Sequence, residues 1–227
     1  MAKKRVSLTL EESLVEKIDS EASKKGLNRS QTVEEIARKH FESRSIETAV
    51  VLCGDPEARS LEEHQGKPVL EHILEHLSGQ VSRAVLLIGK NKEIEERFGS
   101  SYRGMALDYV SEENPRGTAA ALRNVEDMVD RTFAVLNGHV ITDVDLEEMA
   151  GLHREEGSLA TIALTTVEDP SSYGVARLKG SQVLGFEEKP ERGEEPSRLI
   201  NAGTYLFDPE IFERLEEDSL EEVFEKL

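Results

Sequence analysis

The chain has 227 residues, 33% of them charged, with 28 Lys+Arg against 46 Asp+Glu and a net charge of −18. No stretch of 18 apolar residues indicates a membrane span, and the basic opening lacks the apolar core of a secretory signal. The single cysteine, Cys53, excludes an internal disulfide and fits a reducing cytoplasm.

The net charge argues against nucleic acid as a partner until the chain is divided. Residues 1–44 carry ten basic and eight acidic side chains, and residues 45–227 carry 18 and 38. A slightly positive arm on a strongly acidic body is the asymmetry expected of a nucleic-acid-facing segment.

Lys4 to Leu10 alternates strictly, with Arg5, Ser7 and Thr9 on one face and Val6, Leu8 and Leu10 on the other. That period predicts a half-buried strand. Leu14, Ile18 and Ala22 then recur at helical spacing, and Gly26 marks the helix end. A second helix is predicted from Ser30 as N-cap to about Glu42, with Val33, Ile36, Ala37 and Phe41 on its apolar face. One strand and two short helices cannot bury a core at this length, and a lone strand leaves an open edge. Two copies pairing their strands into an antiparallel ribbon remove both defects, which an ordinary surface hairpin does not. KKRVSLTL, a helix, and GLNRS opening a second helix resemble the Arc/MetJ/CopG ribbon-helix-helix DNA-binding family over residues 3–43. The resemblance implies a homodimer on double-stranded DNA, with higher oligomers left open. A two-stranded ribbon fits the major groove, so Arg5 is expected to read guanine while Ser7 and Thr9 bond or touch base edges. Arg29, Ser30 and the backbone amides at the second helix start are expected to clamp a phosphate. On this reading Arg5→Ala weakens specific more than random DNA binding.

After a short linker, SRSIE, the rhythm changes. Strands are predicted at Thr48–Leu52, Ala84–Ile88, near Leu107–Val110, at Phe133–Asn137 and at residues 160–167, with helices over Val69–Leu77 and from Gly117 to about Val129. Val175–Leu178 and Val183–Glu187 read as a hairpin joined across Lys179–Gln182. Strands alternating with helices predict an α/β body with a parallel sheet covered on both faces. The expected domains are 1–44 and 45–227.

Four segments of the body then appear in a telling order: VVLCGDPEARSL with GKPVLEHIL, ENPRGTAAAL, FAVLNGHVITDVDL, and YGVARL with EEKP and INAGTYLF. Together they resemble the sugar-1-phosphate nucleotidylyltransferases over roughly residues 47–225, which implies a Rossmann-like α/β/α fold. Such enzymes join a nucleoside triphosphate to a sugar 1-phosphate and release pyrophosphate. The resemblance places Arg59 and Lys67 at the catalytic cations, and Cys53, Gly54, Glu112 and Gly117 at the nucleotide. Tyr173, Gly174, Glu188, Lys189, Asn201 and Gly203 match the sugar contacts.

The departures from the family pattern are chemical. GDPEARS stands where the family reads GGxGxRL, so Asp55 and Glu57 put carboxylates where a triphosphate approaches. Glu112 stands at the family glutamine. His139 stands at the metal-binding aspartate, and imidazole is a poor magnesium ligand. No partner cluster accompanies His139 as a transition-metal site. Asp143 and Asp145 lie nearby but match other positions. The expectation is therefore a DNA-binding transcriptional regulator whose catalytically impaired body senses a nucleotide, sugar phosphate or nucleotide sugar. The alternatives are an active nucleotidylyltransferase with an added arm, for which Mg2+ would be the cofactor, and a DNA-binding protein whose body only scaffolds.

Overall fold

The computed structural model describes residues 6–42, 45–54, 57, 59–90, 92–111, 117–215, 220, 223, 224 and 227, with the backbone alone for residues 38–42. The sequence expectations for Arg5, Asp55, Glu112 and the Phe41 side chain lie outside these residues. Two compact units, Met1–Arg44 and Ser45–Leu227, are described separately.

In the first unit, helix α1 (Glu12–Lys25) ends where Gly26 turns left-handed at φ 66° and donates its amide to the Ala22 carbonyl. Helix α2 (Arg29–Glu42) begins one residue before the predicted Ser30 cap. Asn28 is the better cap: its Oδ1 accepts from the Gln31 amide, and Gln31 Oε1 accepts from the Asn28 amide, both at 3.0 Å. This reciprocal box satisfies two amides at once and leaves Ser30 inside the first turn. Ile18, Ala22 and Thr32 are buried between the helices. Residues 6–10, predicted as strand, are irregular within one chain. A strand needs a ladder partner, and none of the described strands pairs with this segment. Val6 is left 69% and Leu8 63% exposed.

The second unit runs through β1 (Thr48–Leu52), a two-strand ribbon of β2 (Glu63–His64) and β3 (Lys67–Pro68), α3 (Val69–Leu77) and β4 (Arg83–Gly89). Next come α4 (Glu93–Phe98), β5 (Ser101–Tyr102), β6 (Met105–Ser111), α5 (Thr118–Leu122) and β7 (Phe133–Asn137). The chain continues through α6 (Leu146–Glu155), β8 (Ala160–Thr166), β9 (Gly174–Lys179), β10 (Gln182–Glu188) and β11 (Leu199–Phe207). Among the described residues the main sheet has the order β10-β9-β11-β7-β1-β4-β6-β5, with β8 on the other side of β11. Strands β7, β1, β4 and β6 run parallel, while β5, β8, β9 and β11 join antiparallel. The sheet is mixed rather than parallel throughout: β8, β9, β10 and β11 connect through tight turns and loops, which allow antiparallel neighbours.

Alternation along β1 divides the core. Ala49, Val51 and Cys53 face the side of α3, α4 and α6, while Val50 and Leu52 face α5 and the residues after β11. Helices therefore cover both faces, as an α/β/α sandwich requires. The predicted helix from Gly117 to Val129 splits into α5 and a 3-10 segment, Arg123–Met128. The short α4, the capped α6 and β11 were not predicted as elements. α6 starts at Asp145, whose Oδ1 accepts from the Glu147 and Glu148 amides at 2.9 and 3.0 Å.

Candidate functional site

The carboxyl ends of β1, β4 and β7 meet through close backbone contacts. The Cys53 amide donates to the Leu87 carbonyl at 2.8 Å and the Gly138 amide to the Leu52 carbonyl at 2.9 Å. A Cβ on Gly54 would stand 3.5 Å from the Gly89 nitrogen, and one on Gly89 would stand 3.2 Å from the Gly54 Cα. A Cβ on Gly138 would stand 2.6 Å from the Leu52 carbonyl oxygen. These glycines let the loops after β1, β4 and β7 converge, which is where open α/β sheets bind ligands.

Asn137 and Gly138 extend this edge toward β11. Gly203 has φ 71°, and a Cβ there would meet Asn137 Nδ2 at 2.9 Å. Asn201 Oδ1 accepts from the Gly203 amide at 2.8 Å, its Nδ2 donates to Tyr205 Oη at 2.6 Å, and Thr204 Oγ1 lies 3.3 Å from Thr142 Oγ1. Gly174 pairs with Glu188 across the hairpin, and Val175 pairs with Ile200 beside Asn201. A Cβ on Gly174 would meet Glu188 Oε2 at 3.1 Å. Lys189 takes φ 45°, its amide donates to the Tyr173 carbonyl at 3.0 Å, and its Nζ lies 3.4 Å from Glu188 Oε1. The six residues matched to sugar contacts thus fall at the start of β9, at the end of β10 and within β11. Asn137 and Thr142 were missed as partners, because contacts across 60 or more residues leave no local sequence pattern; Tyr205, four residues after Asn201 on β11, was missed as well.

The two matched cations stand beside carboxylates of this same chain. Arg59 Nε lies 3.7 Å from Glu57 Oε2 in a short 3-10 segment. Lys67 Nζ donates to Glu75 Oε2 on α3, and Arg103 bridges to the other oxygen of Glu75. The bonded ammonium and the Arg103 charge hold the Glu75 carboxyl below its usual range, and the carboxylate raises Lys67. Stability from this contact is therefore present above the ordinary Glu value of 4.5 and lost as pH falls through the lowered folded value. Glu75→Gln is expected to flatten the acid limb of a denaturation-versus-pH profile. An acid limb identical to wild type would refute a folded-state role for the pair.

Burial raises the Cys53 thiol well above its ordinary value, so this side chain is packing at the end of β1 rather than a nucleophile. Gly117 sits at φ 132°, a conformation open to glycine, immediately before α5. His139 is half-buried in the turn after β7. Asp145, one of the two carboxylates that follow in sequence, is occupied as the α6 cap. No group of three or more His, Cys, Asp and Glu side chains is placed to hold a metal ion among the described residues. Magnesium takes oxygen donors, so the residues present at His139 do not fit it.

In the first unit Arg29 is held by a two-pronged pair with Asp19, Nε to Oδ1 at 2.7 Å and a terminal guanidinium nitrogen to Oδ2 at 2.6 Å. The sequence expectation gives Arg29 a phosphate to clamp; in the single chain a carboxylate ten residues earlier occupies its fork. Both side chains remain about half exposed. Arg29→Ala is expected to weaken specific and random DNA binding about equally and to reduce the salt slope by about one. Loss confined to one DNA sequence would remove Arg29 from the phosphate contacts. Ser7 and Thr9 are exposed, as is Ser30.

The sequence matches the nucleotidyl transferase family over residues 57–226 and the copG-family ribbon-helix-helix proteins over residues 4–42. A mannose-1-phosphate guanylyltransferase catalytic subunit beta from Drosophila pseudoobscura pseudoobscura is 35% identical over 70% of this chain and 44% of its own length. The bifunctional protein GlmU of Methanococcus maripaludis is 33% identical over 66% of this chain and 35% of its own length. The chain thus spans less than half the length of these curated relatives. Among solved structures, a UDP-glucose pyrophosphorylase complexed with UDP-glucose superposes with a TM-score of 0.67 at 20% identity, covering 80% of this chain and 86% of that one. HddC from Yersinia pseudotuberculosis with GMP-PN gives 0.66 at 24% identity over 78% and 84%. Both share the fold of the body. No helix among the described residues is long and apolar enough to cross a membrane.

Proposed function

Because this chain belongs to the nucleotidyl transferase family and carries a copG-family ribbon-helix-helix arm, we propose that it is a DNA-binding regulator whose body recognises a sugar phosphate or nucleotide sugar. The arm binds double-stranded DNA as a homodimer through its ribbon, and the body reports a ligand at the convergent ends of β1, β7, β9, β10 and β11. The observation that carries the regulatory reading is the neutralised phosphate site. Arg59 faces Glu57 and Lys67 bonds Glu75, so each cation suited to a triphosphate already has a carboxylate from the same chain. An incoming triphosphate must displace those carboxylates or stand against them, whereas Asn201, Gly203 and the Gly174–Glu188 pair keep a polar, closely packed sugar side.

A second reading, an active nucleotidylyltransferase with an added arm, is favoured by the 35% identity to a guanylyltransferase subunit. Pyrophosphate release from each of the four ribonucleoside triphosphates plus dTTP, with mannose, glucose or N-acetylglucosamine 1-phosphate and Mg2+, separates the two. The regulatory reading expects release at the no-enzyme background together with thermal stabilisation by at least one sugar phosphate or nucleotide sugar. Sustained turnover would establish the enzyme instead.

A further inference from the structure

The loop from β7 to α6 carries Gly138 and His139 at the ligand edge, and its far end is stapled to the end of α3, more than 60 residues earlier in the chain. The first amides of α6 have no acceptor within the helix. Asp145 Oδ1 takes those of Glu147 and Glu148, while a cap side chain does not reach the first of them, on the buried Leu146. Gln80, in the turn after α3, accepts that amide through Oε1 at 2.7 Å. This bond fixes the orientation of the Gln80 amide and makes its Nε2 a donor on the other side. Gln80 Nε2 stands 3.4 Å from the Val144 carbonyl oxygen and 2.8 Å from His76 Nε2, which itself lies 2.9 Å from the same carbonyl. The Val144 amide donates to Thr142 Oγ1 at 3.3 Å. Thr142 Oγ1 in turn meets the hydroxyl of Thr204, which is fully buried in β11 beside Gly203. A part-buried amide or carbonyl left unpaired is costly, so the loop settles where both Val144 groups and the Leu146 amide find these partners.

We infer that Gln80 and His76 are positioning residues for the sugar side of the ligand site. Acting through Val144 and Thr142, they set Thr204 and with it the turn at Gly203. That turn is where the site is tightest: the Gly203 amide donates to Asn201 Oδ1 at 2.8 Å, and a Cβ there would meet Asn137 Nδ2 at 2.9 Å. With so little room, a shift of Thr142 moves Thr204 and Gly203 rather than being absorbed between them. Neither Gln80 nor His76 is matched to a ligand contact, so their effect on the site runs through the loop. A staple that only holds the fold together would lower the melting of the body and leave ligand affinity unchanged in the folded chain.

Gln80→Met keeps the length of the side chain and removes its acceptor and its donor, and Thr142→Val removes the hydroxyl at the far end of the same path. Binding of UDP-glucose, GDP-mannose, mannose 1-phosphate and glucose 1-phosphate is measured for the full chain, each single variant and the double, below the onset of melting. Each single substitution should weaken the ligand that binds by about tenfold, and the double by about the same, because both break one path. Losses that multiply to roughly a hundredfold, or no loss with Gln80→Met, overturn the inference. His76→Gln returns a donor to the Val144 carbonyl and should bind within about threefold of the unsubstituted chain, whereas His76→Leu should lose about tenfold. Equal loss in both overturns it as well. These affinities rest on the ligand reading of the body, so amide exchange on the ligand-free chain decides the path by itself. Gln80→Met should speed exchange at Val144 and Gly203 by at least about tenfold and leave the buried Leu86 of β4 as slow as before. Faster exchange at Val144 with Gly203 unchanged overturns the inference. Absence of binding by all four ligands to the unsubstituted chain, with Gly203 released in Gln80→Met, overturns the ligand reading alone and upholds the path.

Discussion

Leu8→Glu should abolish selective DNA binding by the full chain and leave the body folded. In one chain Leu8 is 63% exposed and Val6 69%, on the face opposite Ser7 and Thr9. Within a two-chain ribbon those side chains become core, and burying a leucine contributes about 1.5–3 kcal/mol for each copy. Placing two carboxylates there removes that term and adds desolvation and mutual repulsion. At about 1.4 kcal/mol per tenfold change, the loss for DNA selected from a random pool by the unsubstituted chain should exceed about 100-fold. Sedimentation should show the arm's dimer lost under the same conditions, while the far-ultraviolet spectrum and melting of the body persist. Affinity within a few-fold of the unsubstituted chain would mean that residues 6–10 do not form the ribbon core.

Gly138→Ala should be the most destabilising single methyl that the body can acquire at its ligand edge. The added Cβ would stand 2.6 Å from the Leu52 carbonyl oxygen and 2.9 Å from Cys53 Sγ. The first neighbour is backbone that is already bonded to the Gly138 amide, so neither partner can rotate away. Relief requires the ends of β1 and β7 to separate, which disturbs the Leu52↔Asn137 register and the Asn137–Gly203 contact together. Overpacking of this kind costs about 1–3 kcal/mol and sometimes more. Gly79→Ala is the matched control, since its Cβ meets nothing within 4 Å. In urea denaturation Gly138→Ala should lower the midpoint clearly while Gly79→Ala leaves it near wild type. Equal midpoints would show that the two strand ends are not locked.

The elements whose sequence is periodic were legible from residues alone. Strands β1, β4 and β7 are continuous apolar runs because both their faces are covered, and α1 declares its end through Gly26. What escaped depends on partners distant in sequence. The antiparallel placement of β11 could not be read from INAGTYLF, since its neighbours Val135 and Ile162 lie 70 and 43 residues earlier than Tyr205. The Asn28 cap was overlooked in favour of Ser30, although Gln31 three residues after Asn28 completes the box. At the site, the residues the motifs single out lie after β1 (Gly54), at the start of β9 and end of β10 (Gly174, Glu188) and within β11 (Asn201, Gly203). Glu57 was legible as a carboxylate in the loop that carries Arg59, whereas nothing in the sequence placed Glu75 beside Lys67. Lys67 and Glu75 lie on either side of a strand-to-helix junction, so no helical spacing relates them. The same holds for Asp19 and Arg29, which belong to different helices.

The account rests on coupling between a ligand held by the body and DNA held by the arm. A ligand shifts DNA affinity only by as much as it distinguishes the two DNA-binding arrangements, and such coupling is typically worth about 5–150-fold. The direct measurement is the affinity of the full chain for its selected DNA, at fixed salt, with and without saturating UDP-glucose, GDP-mannose, mannose 1-phosphate or glucose 1-phosphate. The predicted result is a change of at least about fivefold with one of these four and none with inorganic sulfate at equal ionic strength. An identical DNA affinity in every one of them, despite measurable binding of that ligand to the body, would contradict it.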